Sequence, residues 1–292
     1  MLEEIRNSFR NGNILQRIII LNVGLFVVQS IIFLLFTVGG GRDTFSNILS
    51  YLYFPESPAL LLRRPWTLFT YQFLHDPFGI FHILFNMLYL WWFGRIAVEF
   101  IRERYILPLY LTGGIVGALF FMLIYNLSPE FQGSSPLLVG ASASILAIVA
   151  AAATIVPDYT VHLILIGPVR LKWIALIAVL LDIVGITAGG NVGGHLAHLG
   201  GALTGFLFIR SYQSGWNWFD GWLAVWDNLM ARFRNEPRVV YVRKEKKTTT
   251  RATVTEDQQE KMDAILDKIS RSGYDSLSKE EKTFLFRISN EK

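Results

Sequence analysis

The sequence contains no cysteine and few charged residues. Without cysteine, disulfide bonds, thiol nucleophiles and thiolate metal sites are excluded for all 292 residues. Lys, Arg, Asp and Glu make up 17% of the chain, against 52% for hydrophobic residues. Of these 50 charged side chains, 28 lie in Tyr212–Lys292. The composition therefore predicts a membrane-embedded portion followed by a soluble tail.

The charge that is present is basic and lies beside apolar segments. The formal net charge is only +4, and many Lys and Arg residues flank the long hydrophobic stretches. This pattern favours contact with a lipid bilayer and argues against a nucleic-acid partner.

Charge-free segments recur at the length that a membrane helix requires, about 20 residues. They are Ile18–Gly41, Pro77–Gly94, Tyr105–Pro129, Phe131–Pro157 and Ile183–Ile209. One further segment, Leu171–Thr187, is interrupted only by Lys172 and Asp182. The sequence predicts an all-α polytopic membrane protein with six transmembrane helices. We place them at about 16–38, 78–97, 105–126, 139–156, 171–188 and 192–211.

Lys and Arg are unevenly distributed between the two sets of predicted loops. With the N-terminus inside, nine of them fall on the inner side: Arg6, Arg10, Arg17, Arg95, Arg102, Arg104, Arg170, Lys172 and Arg210. Only Arg42, Arg63 and Arg64 fall on the outer side. We therefore expect a multi-pass protein with both termini in the cytoplasm, and the lack of transit-peptide features indicates a bacterial inner membrane. The first apolar segment exceeds a signal-peptide core and lacks a small-residue cleavage site, so we expect a retained helix.

The tail divides into three predicted parts. Residues 213–236 carry aromatic and apolar residues at helical spacing, which indicates an amphipathic helix lying on the inner leaflet. Residues 237–258 are polar and basic and indicate a linker. Residues 259–290 predict a helical hairpin, broken at Gly273 and reopened by the capping box Ser278-x-x-Glu281. So small a hairpin buries little surface, and we expect it to dock on a partner or on another copy of the chain.

Polar residues are costly inside a membrane, and several cluster at one predicted depth. His82 and Asn86 lie four residues apart near the outer end of the second membrane helix. Ser142 lies at the outer end of the fourth, and His195 and His198 near the outer end of the sixth. The topology therefore brings a hydroxyl, imidazoles and a carboxamide from three helices beneath the same face.

Each of these residues also has an ordinary structural interpretation. A lone serine in GASAS is usually a small packing residue, and His198 or Asn86 alone can be an interhelical hydrogen-bond partner. Together, however, they supply what acyl transfer needs: a serine nucleophile, an imidazole base and donors for an oxyanion. No carboxylate is evident near His198. The residues therefore predict a Ser142–His198 dyad, with His82, Asn86 and the Ser142 N–H stabilising the oxyanion.

Three motifs carry a resemblance to a known family. HILFN (His82–Asn86), GAS (Gly140–Ser142) and AHLGGALTG (Ala197–Gly205) resemble the rhomboid family in order and in helix position. The loop RPWTLFTYQFLH (Arg64–His75) is similar as well, and the resemblance covers about residues 14–212. It implies a six-helix rhomboid-like membrane protease domain that needs no cofactor or metal. Its partners would be transmembrane segments of other membrane proteins, cleaved near the outer face.

The resemblance assigns roles to individual residues. It implies that Ser142 and His198 are catalytic and that His82 and Asn86 belong to the oxyanion hole. His198, and not His195, matches the family histidine because Leu-Gly-Gly-x-x-x-Gly follows it. Ala143 departs from the glycine that often follows the family serine, and Trp66-Thr67 departs from Trp-Arg in the first loop.

Two further polar residues have open interpretations. Asp182 either tunes a histidine or lines a water path, but a hydrogen bond to a neighbouring helix is favoured. For His75, in the first loop, we expect a structural hydrogen bond or a role in retaining water.

Three other functions compete with a protease. A catalytically inactive rhomboid-like protein that binds membrane segments usually lacks the serine or the histidine, and both are present here. A transporter would show broken or charged helices and similar halves. A zinc enzyme would use His195 and His198 with His82 or Asp182, but no glutamate adjoins them.

Overall fold

Helices dominate the computed structural model, which describes residues 12–131, 133–163, 166–233 and 256–290. The chain forms two compact units, Met1–Phe233 and Arg234–Lys292. The helices of the first unit are α1 (Ile14–Val38), α2 (Arg42–Ser50), α3 (Pro58–Arg63), α4 (Thr67–Thr70), α5 (Ile80–Phe100), α6 (Ile106–Leu127), α7 (Ser142–Ile155), α8 (Leu171–Ala188), α9 (Val192–Gln213) and α10 (Trp218–Phe233). The strands are β1 (Phe54–Pro55), β2 (Leu137–Leu138), β3 (Thr160–Leu163) and β4 (Gly167–Arg170). Short 3-10 helices cover Tyr71–Phe73, Glu103–Tyr105 and Pro129–Phe131.

Among the described residues of the first unit, five helices are long and apolar enough to cross a bilayer: α1, α5, α6 (counted from Glu103), α8 and α9. The remaining predicted helix, the fourth, is present as α7, which is apolar but has only 14 residues. A helix of that length extends about 21 Å, less than the roughly 30 Å of the hydrocarbon core. The expected all-α polytopic bundle is thus confirmed, and the fourth predicted helix, placed at about 139–156, is found as the shorter helix Ser142–Ile155.

The short helix α7 lies at the centre of the bundle, and small residues bring its neighbours close. A methyl group built on Gly201 of α9 would lie 2.1 Å from the Ala143 carbonyl oxygen. One built on Gly205 would lie 2.0 Å from the Ala147 carbonyl oxygen. Because other helices cover α7, its ends lie within the protein and need not reach the bilayer surface.

The first loop is folded and attached to the bundle. Strand β1 pairs antiparallel with β2, so that Phe54 lies opposite Leu138 just before α7. The Tyr71 hydroxyl donates to the Gly114 carbonyl oxygen at 2.6 Å. The Gly140 N–H donates to the Tyr71 carbonyl oxygen at 3.0 Å. These bonds hold the loop and the entry to α7 together, and thereby set the position of the first residues of α7.

A second small hairpin lies at the opposite end of the bundle from the entry to α7. β3 and β4 pair antiparallel, with Thr160 opposite Arg170. The Asp158 carboxylate accepts from Lys172 Nζ at 2.7 Å, and this bond, followed by the Arg170 guanidinium, lowers the pKa of Asp158. The hairpin therefore closes the connection between α7 and α8.

The second unit consists of α11 (Glu256–Ser272) and α12 (Lys279–Asn290), with a 3-10 helix at Tyr274–Ser276 between them. Gly273 has a φ of 77°, and α11 ends there as predicted. The capping box is confirmed, because the Ser278 N–H donates to Glu281 Oε2 at 2.6 Å and the Glu281 N–H to Ser278 Oγ at 3.3 Å. The predicted linker at 237–258 falls almost entirely outside the described residues.

Candidate active site

The candidate nucleophile and base are in hydrogen-bond contact. Ser142 is the first residue of α7, and His198 lies in the second turn of α9. Ser142 Oγ and His198 Nε2 are 2.7 Å apart although they are 56 residues apart in the chain. The contact depends on the close approach of α9 to α7 at Gly201, less than one turn beyond His198. The structure thus brings together the two residues that the sequence predicts as catalytic.

A carboxylate lies on the other side of His198. His198 Nδ1 is 2.8 Å from Asp182 Oδ1, and His195 Nδ1 is 2.7 Å from the same oxygen. The expectation that no carboxylate lies near His198 is therefore wrong. The contact is a hydrogen bond to the neighbouring helix α9, the favoured interpretation of Asp182, but its partners are histidines, so it equally fits the less favoured one, that Asp182 tunes a histidine. Asp182 is buried, with an exposed fraction of 6%.

Sequence spacing gives no direct signal for this contact. Asp182 precedes His198 by 16 residues, and a helix end, a turn and the start of α9 lie between them. The turn includes Asn191 with a φ of 48°, a left-handed conformation that redirects the chain into α9. The rotation of α8 about its axis decides whether Asp182 faces His198, and that rotation follows from packing.

His82 and Asn86 face the same cavity as Ser142. The cavity has a volume of about 790 Å³, and its walls come from α5, α6, α7, α8 and α9 and from the segment before α7. His82 lies against Gly140: a methyl group built on Gly140 would be 2.9 Å from His82 Cε1 and 3.9 Å from Ser142 Oγ. Gly140 also has a φ of 124°, which favours glycine. The two α5 residues therefore border the site of the nucleophile, as predicted.

Asn86 has an unused donor. Its side chain is buried, with an exposed fraction of 7%, and within the described part of the chain its Nδ2 has no hydrogen-bond acceptor. A buried amide donor is normally paired. Asn86 also lines the cavity that contains Ser142.

His75 lies beside His82 and is fully buried. Its ring is 5.4 Å from the His82 ring, centroid to centroid. Burial, and to a lesser extent the nearby His82, lowers the pKa of His75 to about 3. Within the described residues neither ring nitrogen has a hydrogen-bond partner, so the structural hydrogen bond expected from its side chain is not found. Its backbone carbonyl oxygen accepts a hydrogen bond from Gln29 Nε2.

The cavity is apolar where it meets the outside of the bundle. Phe81, Phe85 and Tyr89 of α5 and Leu181 of α8 line it and are also exposed on the protein surface. Half of the α8 residues are exposed, and only Leu171 and Asp182 among its described residues are buried. The polar site is therefore reached from a surface whose side chains suit lipid.

The same polar cluster offers one possible metal site. Ligand atoms of Asp182, His195 and His198 lie within 4.8 Å of one another. Two histidines and a carboxylate form a common zinc ligand set. The hydrogen bonds among these groups account for the cluster without an ion, and Ser142 bonded to His198 is not part of that ligand set.

Comparisons with known proteins agree with this arrangement. The family model of the rhomboid domain matches residues 62–213, and a second model, of a family of unknown function (DUF6576), matches residues 254–291. The chain is 30% identical over 185 residues to presenilin-associated rhomboid-like protein A, mitochondrial, of Danio rerio, covering 61% of this chain and 45% of the relative. It is 27% identical over 215 residues to the presenilin-associated rhomboid-like protein of Mus musculus, covering 70% and 52%.

A plant relative gives a similar result. RHOMBOID-like protein 12, mitochondrial, of Arabidopsis thaliana is 29% identical over 210 residues, covering 68% of this chain and 58% of the relative. The chain thus spans about half the length of the curated relatives that it matches. The matched region contains the membrane helices α5 to α9 together with Ser142 and His198. The chain is a multi-pass membrane protein that belongs to the rhomboid family.

Proposed function

We propose that this chain is an intramembrane serine endopeptidase that cleaves transmembrane segments of other membrane proteins near the outer face. The observation that carries the proposal is the 2.7 Å contact between Ser142 Oγ and His198 Nε2 in a cavity that opens on an apolar surface. A rhomboid-like protein that only binds membrane segments needs no such nucleophile–base pair.

The first chemical step is attack by Ser142. A serine hydroxyl is a weak nucleophile until a base accepts its proton, and His198 Nε2 is within hydrogen-bond distance to do so. Ser142 Oγ bonds to the carbonyl carbon of the scissile peptide as the proton moves to His198. His198 then gives the proton to the leaving amine, and water hydrolyses the resulting ester by the same base.

The oxyanion forms beside three donors. Ser142 begins α7, so its backbone N–H has no acceptor within the helix and lies at the positive end of the helix dipole. The Asn86 Nδ2 donor is unused within the described residues, and the His82 ring borders Gly140 next to Ser142. Donors fixed before the reaction stabilise the developing charge without reorganisation.

Substrate enters most easily between α5 and α8. The cavity wall there consists of Phe81, Phe85 and Leu181, whose side chains are 70%, 55% and 63% exposed. A transmembrane helix of another protein presents apolar side chains that match this surface. Its backbone must unwind locally, because a helical peptide bond is shielded from attack.

The experiment that tests the proposed function is cleavage in reconstituted vesicles. The purified protein is mixed with model substrates whose single transmembrane segment contains small and helix-breaking residues, and the products are mapped by mass spectrometry. Cleavage within the membrane segment, near one face and blocked by a serine-directed phosphonate, supports the proposal. Activity that is lost with a chelator and insensitive to the phosphonate supports the zinc alternative at Asp182, His195 and His198.

Removing one oxyanion donor is expected to slow cleavage without stopping it. Asn86→Ala and His82→Ala should each lower kcat by about 10²- to 10³-fold, because one lost donor costs about 2.7–4 kcal/mol. Initial rates in vesicles measure the effect. Asn126→Ala is a matched control: its side chain bonds to the Glu56 and Met122 carbonyl oxygens, away from the cavity. Asn86→Ala activity equal to that of the control would remove Asn86 from the oxyanion hole.

We also propose that the membrane is a bacterial inner membrane and that both termini lie on its inner side, the orientation that the nine-to-three distribution of Lys and Arg supports. The mitochondrial names belong to the relatives. Because the chain lacks cysteine, an introduced cysteine is its only thiol, and labelling of that thiol shows on which side of the membrane the residue lies. In intact cells, Ser134→Cys before α7 should react with a membrane-impermeant maleimide, and Ser214→Cys after α9 should react only after lysis. The reverse pattern would invert the proposed orientation.

A further inference from the structure

Asp182 has no role in the proton transfer between Ser142 and His198 as proposed above. It is a buried carboxylate on α8, and one of its oxygens lies within hydrogen-bond distance of two imidazoles of α9. We propose that Asp182 is a positioning residue that fixes the tautomer and orientation of His198, and that His195 holds the Asp182 carboxylate in place. The inference rests on the proposed function, since it concerns how the base is prepared.

The hydrogen bonds at His198 determine where its proton lies. To accept the Ser142 proton, His198 Nε2 must be unprotonated, so a neutral ring must carry its proton on Nδ1. Nδ1 is 2.8 Å from Asp182 Oδ1, and a carboxylate only accepts. The contact therefore selects the tautomer with Nδ1 protonated, which is the tautomer able to act as a base toward Ser142.

The same carboxylate faces the charge that develops during the reaction. When His198 takes the Ser142 proton it becomes a cation at membrane depth, where an unpaired charge is costly. Asp182 provides the opposite charge at hydrogen-bond distance from the start. The proton that moves is the one between Ser142 Oγ and His198 Nε2, and the Nδ1 proton stays on His198.

His195 has a separate contribution. Its Nδ1 lies 2.7 Å from the same Asp182 oxygen, one helical turn before His198. Its ring packs directly on α8: a methyl group built on Gly185 would be 2.3 Å from His195 Nε2. Gly185 follows Asp182 by three residues, so this contact helps to set the rotation of α8 that points Asp182 at His198.

Asp182→Asn tests the tautomer directly. An asparagine side chain can donate to His198 Nδ1 as well as accept from it, so it no longer excludes the tautomer protonated on Nε2. We expect kcat to fall by about 10²- to 10⁴-fold while KM changes by less than about 3-fold, because substrate contacts are unaffected. Asp182→Glu restores the carboxylate and should recover part of the rate.

Variants of His195 test whether its hydrogen bond holds the Asp182 carboxylate in place. His195→Ala removes one donor to Asp182 and should lower kcat by about 10-fold. His195→Gln keeps a donor and should recover most of that loss. Asp158→Asn is the matched control, since it makes the same carboxylate-to-amide change at a loop residue paired with Lys172. It should leave the cleavage rate unchanged.

A spectroscopic measurement distinguishes positioning from a purely structural role. The chain has five histidines, so ¹⁵N-histidine labelling with one variant per histidine assigns His198. The wild type should show His198 protonated on Nδ1, and Asp182→Asn should show a mixture with the Nε2 tautomer. Equal kcat and an unchanged tautomer in Asp182→Asn would overturn the proposal, as would activity removed by EDTA and restored by zinc. A wild type that never cleaves or labels would instead refute the proposed function, and the tautomer measurement would still test Asp182.

Discussion

Ser142→Ala is expected to reduce cleavage of a membrane-embedded substrate to the uncatalysed background, and His198→Ala to do nearly the same. Loss of either member of a nucleophile–base pair costs up to about 10⁶-fold in kcat in soluble serine proteases, because the two act as a unit. Combining both substitutions should therefore add little to either one. Single-turnover cleavage in vesicles, with products quantified on gels, measures the loss.

The chain offers a close control for this prediction. Ser144 lies two residues further along α7, is fully buried and donates to Gln72 Oε1 at 3.0 Å. Ser144→Ala removes the same hydroxyl from the same helix but leaves the cavity unchanged. We expect its activity to stay within a few-fold of wild type, with a small loss of stability for the unpaired Gln72 oxygen. Equal activity of Ser142→Ala and Ser144→Ala would show that Ser142 is not the nucleophile.

Gly201→Ala is expected to destabilise the protein and to remove most of its activity. The added methyl group would lie 2.1 Å from the Ala143 carbonyl oxygen and 2.9 Å from its carbonyl carbon. Both are backbone atoms, so α9 must move away from α7. Overpacking of this kind costs about 1–3 kcal/mol or more. Because Ser142 and His198 lie on the two helices that meet at Gly201, a displacement of α9 by about 1 Å should lower the cleavage rate about 10²-fold.

Gly24→Ala provides the matched control for that substitution. Gly24 lies in the membrane helix α1, and no atom lies within 4 Å of the methyl group that alanine would add there. Alanine is more favourable in a helix than glycine by about 1 kcal/mol, so the melting temperature of Gly24→Ala should equal or slightly exceed that of the wild type. Thermal melting in detergent and cleavage rates should be measured on both variants. If Gly201→Ala behaved like Gly24→Ala, the close approach of α9 to α7 would not be what aligns the catalytic pair.

The sequence predicts most of the bundle because hydrophobicity over about 20 residues is a local signal. Helices α1, α5, α6, α8 and α9 lie within a few residues of their predicted bounds. The start of α7 is predicted three residues early, at about 139 and not at Ser142, because the apolar segment continues before the helix. Residues 137–138 pair with β1, and Gly140 has a φ of 124°, so the chain becomes helical only at Ser142. Hydropathy does not distinguish an apolar strand from the helix that follows it.

The sequence predicts only part of the candidate site, because it indicates the depth of a residue in the membrane but not the direction in which its helix faces. Depth in the membrane follows from topology, and it places Ser142, His82, Asn86 and His198 at one level. The rotation of a helix about its axis is set by packing, which no local pattern reports. Asp182 therefore could be assigned to a helix but not to His198. The short helices of the first loop were not predicted either, because segments such as Thr67–Thr70 are too short to show a period.

The second unit is a hairpin of two helices, α11 and α12. Residues 254–291 match a family of unknown function, and both helices of the hairpin are amphipathic in sequence. Leu266 and Phe286 are 49% and 71% exposed. The expectation that this hairpin docks on a partner or another copy of the chain stays a prediction.

The central claim is that Ser142 is a nucleophile activated by His198, and labelling with a fluorophosphonate probe tests it most directly. Wild type, Ser142→Ala, Ser144→Ala and His198→Ala are treated in parallel, and the modified peptide is identified by mass spectrometry. The account predicts labelling on Ser142 in the wild type and in Ser144→Ala, and none in Ser142→Ala or His198→Ala. Folded wild-type protein that is not labelled, or labelling that persists in His198→Ala, would contradict it and favour a rhomboid-like protein that binds membrane segments without cleaving them.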